Sequence, residues 1–128
     1  MADRLGSAPV AGSPTAILAP AIRTLIEETP RGVPDHLTPP DRRAYMHLLS
    51  DLNFMRYGLP GPPVRSVTDH RVTVAGGEIV VRIYRPSDAD RLPCHLTLHG
   101  GGWEFGAVTE RVADAICRQR CAEAECVV

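Results

Sequence analysis

Apolar positions change their period partway along this chain, and the change divides it. In "APAIRTLIEET", Ile22, Leu25 and Ile26 share one helical face and Pro20 suits a first turn, so a short helix is predicted. A longer helix follows Thr38, where Tyr45, Leu48, Leu49, Leu52 and Met55 recur at i, i+3, i+4, i+7 and i+10 in one apolar stripe. Thr38 and Asp41 have capping-box spacing, with Asp in place of Glu, and Pro39 fits the first turn. Gly58 and Pro60 end this helix, and "GLPGPP" reads as a hinge.

From Val64 the period falls to two. Val72 and Val74 alternate with polar residues, "AGGE" makes a turn, and Ile79, Val81 and Ile83 alternate again, which predicts a β-hairpin. After the loop "PSDADRLP", "CHLTLH" predicts a third strand. Residues 109–124 form an amphipathic helix with Thr109 as N-cap and Val112, Ala115, Ile116 and Ala122 on one side. "CVV" then begins another buried strand. Strand, loop, helix and strand make a βαβ crossover, so the fold class is α/β with a sheet turning parallel. A parallel strand of three residues leaves a raw edge, so the fold is expected to stop partway. The expected division is 1–62, an Ala-, Gly-, Pro- and Ser-rich lead-in (1–16) plus two helices, and 63–128, the first part of a larger core.

Composition narrows the partners. The 128 residues are 44% apolar with net charge −1, and their 14 basic and 15 acidic residues are spread along the chain. No basic stripe exists to follow a phosphate backbone, which argues against nucleic acid. "PTAILAPAI" is far shorter than the roughly 20 residues of a membrane span, and Asp3 and Arg4 stand where a signal peptide would be turning apolar. A cytoplasmic protein is expected. Cys94, Cys117, Cys121 and Cys126 are then expected to be reduced and to act as small buried hydrophobes. Cys117 and Cys121 share a helix face, but the second ligand pair of a structural zinc is missing.

The chemistry centres on "LTLHGGGWEFG", Leu96 to Gly106. Glycines between a strand and a helix let backbone N–H groups point outward together, because no Cβ obstructs a ligand. Such a loop can cradle a phosphate or form an oxyanion hole. Gly100, Gly102 and Gly106 give G-x-G-x-x-x-G, one residue longer than the dinucleotide fingerprint, and bulky Trp103 falls where a pyrophosphate would approach. The oxyanion reading fits better.

"HGGGW" after an apolar strand resembles the HGGG motif of the hormone-sensitive-lipase-like esterases of the α/β-hydrolase superfamily. "GEIVVRIYRP" is similar to that family's second strand, and "AICRQRCAEAECVV" to its first core helix and following strand. The two N-terminal helices resemble its cap, so the resemblance covers roughly residues 18–128. It implies a partial α/β-hydrolase fold and an acyl-serine route to ester cleavage, without metal or organic cofactor, on a small ester substrate. It assigns the N–H groups of Gly101 and Gly102 to the oxyanion hole, with His99 bracing the loop and Gly100 and Trp103 in support. Trp103 either packs under the loop or lines the acyl pocket. One departure is "CHLTLH", where His95 and Thr97 put polar side chains on a strand the family keeps almost wholly apolar.

The rest of an acyl-transfer site is not in these residues. The nucleophile belongs in G-x-S-x-G, followed by an acid and a histidine. Ser7, Ser13, Ser50, Ser66 and Ser87 lack that setting; Ser13 has Ala11 and Thr15 where the glycines should be. His95 and His99, four apart on a strand, stand about 13 Å from each other and cannot share a metal. His36, His47 and His70 are scattered, and no cysteine has an evident histidine base. The expectation is therefore a piece of an esterase, inactive alone. Two rivals are a truncated binding or regulatory module and, less favoured, a nucleotide-binding glycine loop. Oligomeric state stays open.

Overall fold

The computed structural model describes residues 20–29 and 33–128, which belong to two compact units, Met1–Gly32 and Val33–Val128. The expected lead-in, residues 1–16, lies outside the described residues. In the first unit, helix α1 spans Pro20–Glu28. Pro20 opens it without wasting a backbone donor, and the Thr24 hydroxyl donates back to the Pro20 carbonyl at 3.1 Å.

The second unit begins with helix α2, Pro39–Tyr57, as the apolar stripe predicts. Thr38 is its N-cap, but not as a capping box. Its hydroxyl donates to the Asp41 carboxylate and makes no cap bond to the backbone. Gly58 closes the helix by donating its N–H to the Phe54 carbonyl at 2.7 Å. None of its residues is buried, and Leu48, Leu52 and Met55 are more than half exposed.

Strands β1 (Ser66–Val74) and β2 (Gly77–Arg85) pair antiparallel, with Val72 opposite Ile79 and Val74 opposite Gly77. Ala75 and Gly76 make the turn, and Gly77 follows at φ +137°, where a side chain would be strained. Val72, Val74, Ile79, Val81 and Ile83 share one face of the hairpin; Asp69, Arg71, Glu78, Arg82 and Tyr84 share the other. Helix α3, Arg111–Glu123, meets that second, polar face. Tyr84 is only 2% exposed there and donates its hydroxyl to Asp114 at 3.0 Å.

The third expected strand is reduced to one parallel bridge, Cys94 with Val127. His95 N–H donates to the Val127 carbonyl at 2.7 Å, and Val127 N–H to the Pro93 carbonyl at 2.8 Å. Val128 exchanges two backbone bonds with Tyr84, at 2.8 and 3.0 Å. Val127 and Val128 thus lie between β2 and residues 93–95. Leu96 and Leu98, past this bridge, are 82% and 83% exposed.

α3 also differs from the sequence reading. Its N-cap is Glu110 rather than Thr109, because Asp51 of α2 accepts the Arg111 N–H at 2.9 Å while Ser50 donates to Glu110 at 3.0 Å. Its buried residues are Ala115 and Cys121, whereas Val112 and Ile116 line an open groove with Leu59 and Pro60. Cys121 and Cys126 are buried, Cys117 half-buried, and Cys94, expected to be buried, is exposed; all four are free thiols. The supposed hinge is packed: a Cβ on Gly61 would stand 2.6 Å from both the Ala115 carbonyl and the Arg118 Cβ.

Candidate functional site

The glycine loop turns sharply, and its glycines are not equivalent. Gly101 sits at φ +134°, where a Cβ would overlap the Phe105 carbonyl, and Gly106 at φ +89°, where it would overlap the Gly100 carbonyl and the His99 ring. Gly102, at φ +61°, has open space around it. Gly100 has neither a left-handed φ nor a crowded Cβ position, so the backbone here does not require glycine at that residue.

Two bonds close the turn: the N–H groups of Glu104 and Phe105 both donate to the Gly101 carbonyl, at 3.1 and 2.9 Å. The Gly102 N–H shares a planar trans peptide unit with that carbonyl and so points the opposite way. Among the described residues, no acceptor takes the N–H of Gly101 or Gly102. His99 Nδ1 lies 2.9 Å from the Gly100 carbonyl and against Gly106. Trp103, at φ +60°, is fully exposed; it does not pack under the loop.

The flanks are held by charge. Arg82 of β2 grips Asp69 through two bonds of 2.7 and 2.8 Å and donates to the Val108 carbonyl at 3.2 Å, tying the exit of the loop to the hairpin. That guanidinium holds the Asp69 carboxyl below the usual carboxylate range. Asp114 accepts from Tyr84 and, at 2.7 Å, from Arg118. Burial, with Asp114 beside it, pushes the Tyr84 phenol well above its ordinary pKa. The groove beside these groups, about 450 Å³, is lined by Phe54, Gly61, Arg82, Thr109, Asp114 and Arg118, and no residue of the glycine loop borders it.

Thr97 accepts from Arg120 of α3 at 3.2 Å, so this polar position has a partner. His36 lies in a turn, His47 in α2 and His70 in β1, and Ser50 is engaged by Glu110. Missed by the sequence reading is Arg42 of α2, whose Nε stands 3.5 Å from the Glu104 carboxylate. A contact between residues 62 apart leaves no signal in local spacing.

No family model matches the chain. LipN, a carboxylic ester hydrolase of Mycobacterium tuberculosis, is 36% identical over 84 residues, covering 65% of this chain and 20% of that protein. Among solved structures, the Pyrobaculum calidifontis esterase matches 87% of this chain and 34% of its own, at 28% identity and a TM-score of 0.68. EstE1, a thermostable carboxylesterase cloned from a metagenomic library, matches 72% of this chain and 30% of its own, at 32% identity and a TM-score of 0.61. The chain thus spans between a fifth and about a third of the length of these relatives. Sequence and backbone point to one class: over the part it spans, the chain is similar to esterases of the α/β-hydrolase fold.

Proposed function

We propose that this chain supplies the oxyanion-hole loop of a serine carboxylic-ester hydrolase and is inactive by itself. The observation that carries the reading is the pair of unclaimed N–H groups on Gly101 and Gly102, in a turn whose carbonyl is already used inward. Donors fixed before the substrate arrives stabilise the negative oxygen of a tetrahedral intermediate without reorganising, and each is worth about 10²–10³ in rate. His99 braces the loop through the Gly100 carbonyl, and Gly100 and Trp103 shape its approach. Residues 1–62 act as lead-in and cap, and 63–128 as the first part of the catalytic core. Inactivity follows from the chemistry: no serine of the 128 residues stands in G-x-S-x-G, so nothing attacks the carbonyl that the loop would polarise. The substrate class is a small carboxylic ester. The four free thiols favour a reducing, cytoplasmic setting, which cell fractionation tests.

Two assays test this reading. The purified chain should hydrolyse p-nitrophenyl acetate no faster than its Gly102→Asp variant; faster turnover overturns the inactivity. Residues 96–106 grafted in place of the corresponding loop of EstE1 should preserve esterase activity. Gly102→Asp in that graft should then lower kcat by about 10²-fold or more. A graft that is equally active with and without the aspartate overturns the oxyanion assignment.

A further inference from the structure

Helix α2 touches the segment after the glycines at both ends. At the near end, Arg42 Nε faces Glu104 Oε1 at 3.5 Å. At the far end, Ser50 donates to Glu110 at 3.0 Å, and Asp51 accepts the Arg111 N–H at 2.9 Å with the Arg111 guanidinium 3.9 Å away. Arg42 and Asp51 are nine residues apart, about 13 Å along a helix, so α2 acts as a ruler laid across residues 104–111. Glu104 is also one of the two residues whose N–H closes the turn on the Gly101 carbonyl. A displacement of α2 therefore reaches the peptide units of the glycine turn through a single residue.

The near contact has a further property. Arg42 Nε is buried and has no hydrogen-bond partner, yet a carboxylate oxygen waits at 3.5 Å. A hydrogen bond forms at about 2.9 Å, so a shift of roughly 0.6 Å toward α2 would satisfy a donor that is costly to leave unmade.

We propose that Arg42 is a positioning residue for the glycine loop, coupling α2 to Glu104 so that displacement of α2 resets the direction of the Gly101 and Gly102 N–H groups. The proposal rests on the oxyanion reading for its catalytic meaning, but the coupling itself is measurable without an ester. In the full chain, amide hydrogen exchange at Glu104 and Phe105 reports the closed turn, and the β1–β2 hairpin amides serve as internal reference. Arg42→Gln should raise exchange at Glu104 and Phe105 about two- to fivefold, the range expected for one exposed ion pair, with the hairpin unchanged. Asp51→Asn, which touches neither residue, should raise the same two amides. The Gly101 and Gly102 amide resonances should move along one line across both variants, as expected for two positions exchanging population. Arg42→Glu combined with Glu104→Arg should restore the original exchange. Overturning results are loop exchange unchanged in Arg42→Gln, loop and hairpin rising together, or Asp51→Asn leaving Glu104 and Phe105 untouched. A failed EstE1 graft with intact coupling would refute the oxyanion reading alone.

Discussion

Gly61 is the residue on which the linker after α2 rests against α3, and enlarging it tests how that contact is held. In Gly61→Ala the new methyl meets the Ala115 carbonyl oxygen and the Arg118 Cβ at 2.6 Å, and the Ala115 Cα at 3.0 Å. Two of these atoms are helix backbone, so relief requires moving α3 or the linker, which Pro60 and Pro62 hold on either side. Overpacking of this kind costs about 1–3 kcal/mol. Against that stands a gain of about 0.4–1 kcal/mol, because alanine has fewer unfolded conformations to lose than glycine. Taking the middle of each range, the net loss is about 1.3 kcal/mol. For a unit of this size each kcal/mol moves Tm by about 4–8 °C, so a fall of about 5–10 °C is expected by far-ultraviolet circular dichroism. Gly76→Ala is the control of opposite sign. Nothing lies within 4 Å of its Cβ position and its φ is not left-handed, so it should leave Tm unchanged or raise it by a few degrees. Equal shifts in both variants, or no shift in Gly61→Ala, would refute the reasoning.

Three other expectations follow from the charges and thiols. Asp69 is held below its ordinary carboxylate range by Arg82, so its contribution to stability is present above about pH 4 and disappears as pH falls through its lowered folded value; Asp69→Asn should remove that part of an acid-unfolding curve. Tyr84 has its pKa raised, so its contribution is present below about pH 10 and is lost as pH rises through the folded value. In an alkaline titration followed at the tyrosinate band, Tyr84→Phe should abolish the latest-ionising phase, and a wild-type curve without such a phase would contradict the buried Tyr84–Asp114 bond. Of the thiols, exposed Cys94 should react first with a water-soluble disulfide reagent and Cys94→Ser should remove that phase, while Cys121 and Cys126 should react only on unfolding.

Local periodicity was enough to place α2, the hairpin and α3, because the apolar residues of each repeat at the period of that element. It was also enough to single out the glycine loop, where Gly101, Gly102 and Gly106 take backbone angles that favour glycine. It did not reveal which features depend on distant partners. "CHLTLH" has the composition of a strand, but its backbone pairing among the described residues is the single Cys94–Val127 bridge, a long-range contact that local composition does not report. Thr109 has the chemistry of an N-cap, yet the start of α3 is fixed by Ser50 and Asp51, about 60 residues earlier. Hairpin alternation separates two faces without saying that α3 takes the polar one through Tyr84 and Asp114. Arg42 is invisible in the sequence for the same reason: its meaning lies in Glu104.

Trp103 is the chain's single tryptophan, and it stands wholly in water at the tip of the glycine loop. Its emission should already be as red in the native chain as in urea, so unfolding is nearly silent in fluorescence. Anything that settles over the loop, whether polypeptide, detergent or acyl chain, must cover that indole and shift its emission to the blue. The native chain carries its own docking reporter beside Gly102, with no dye attached.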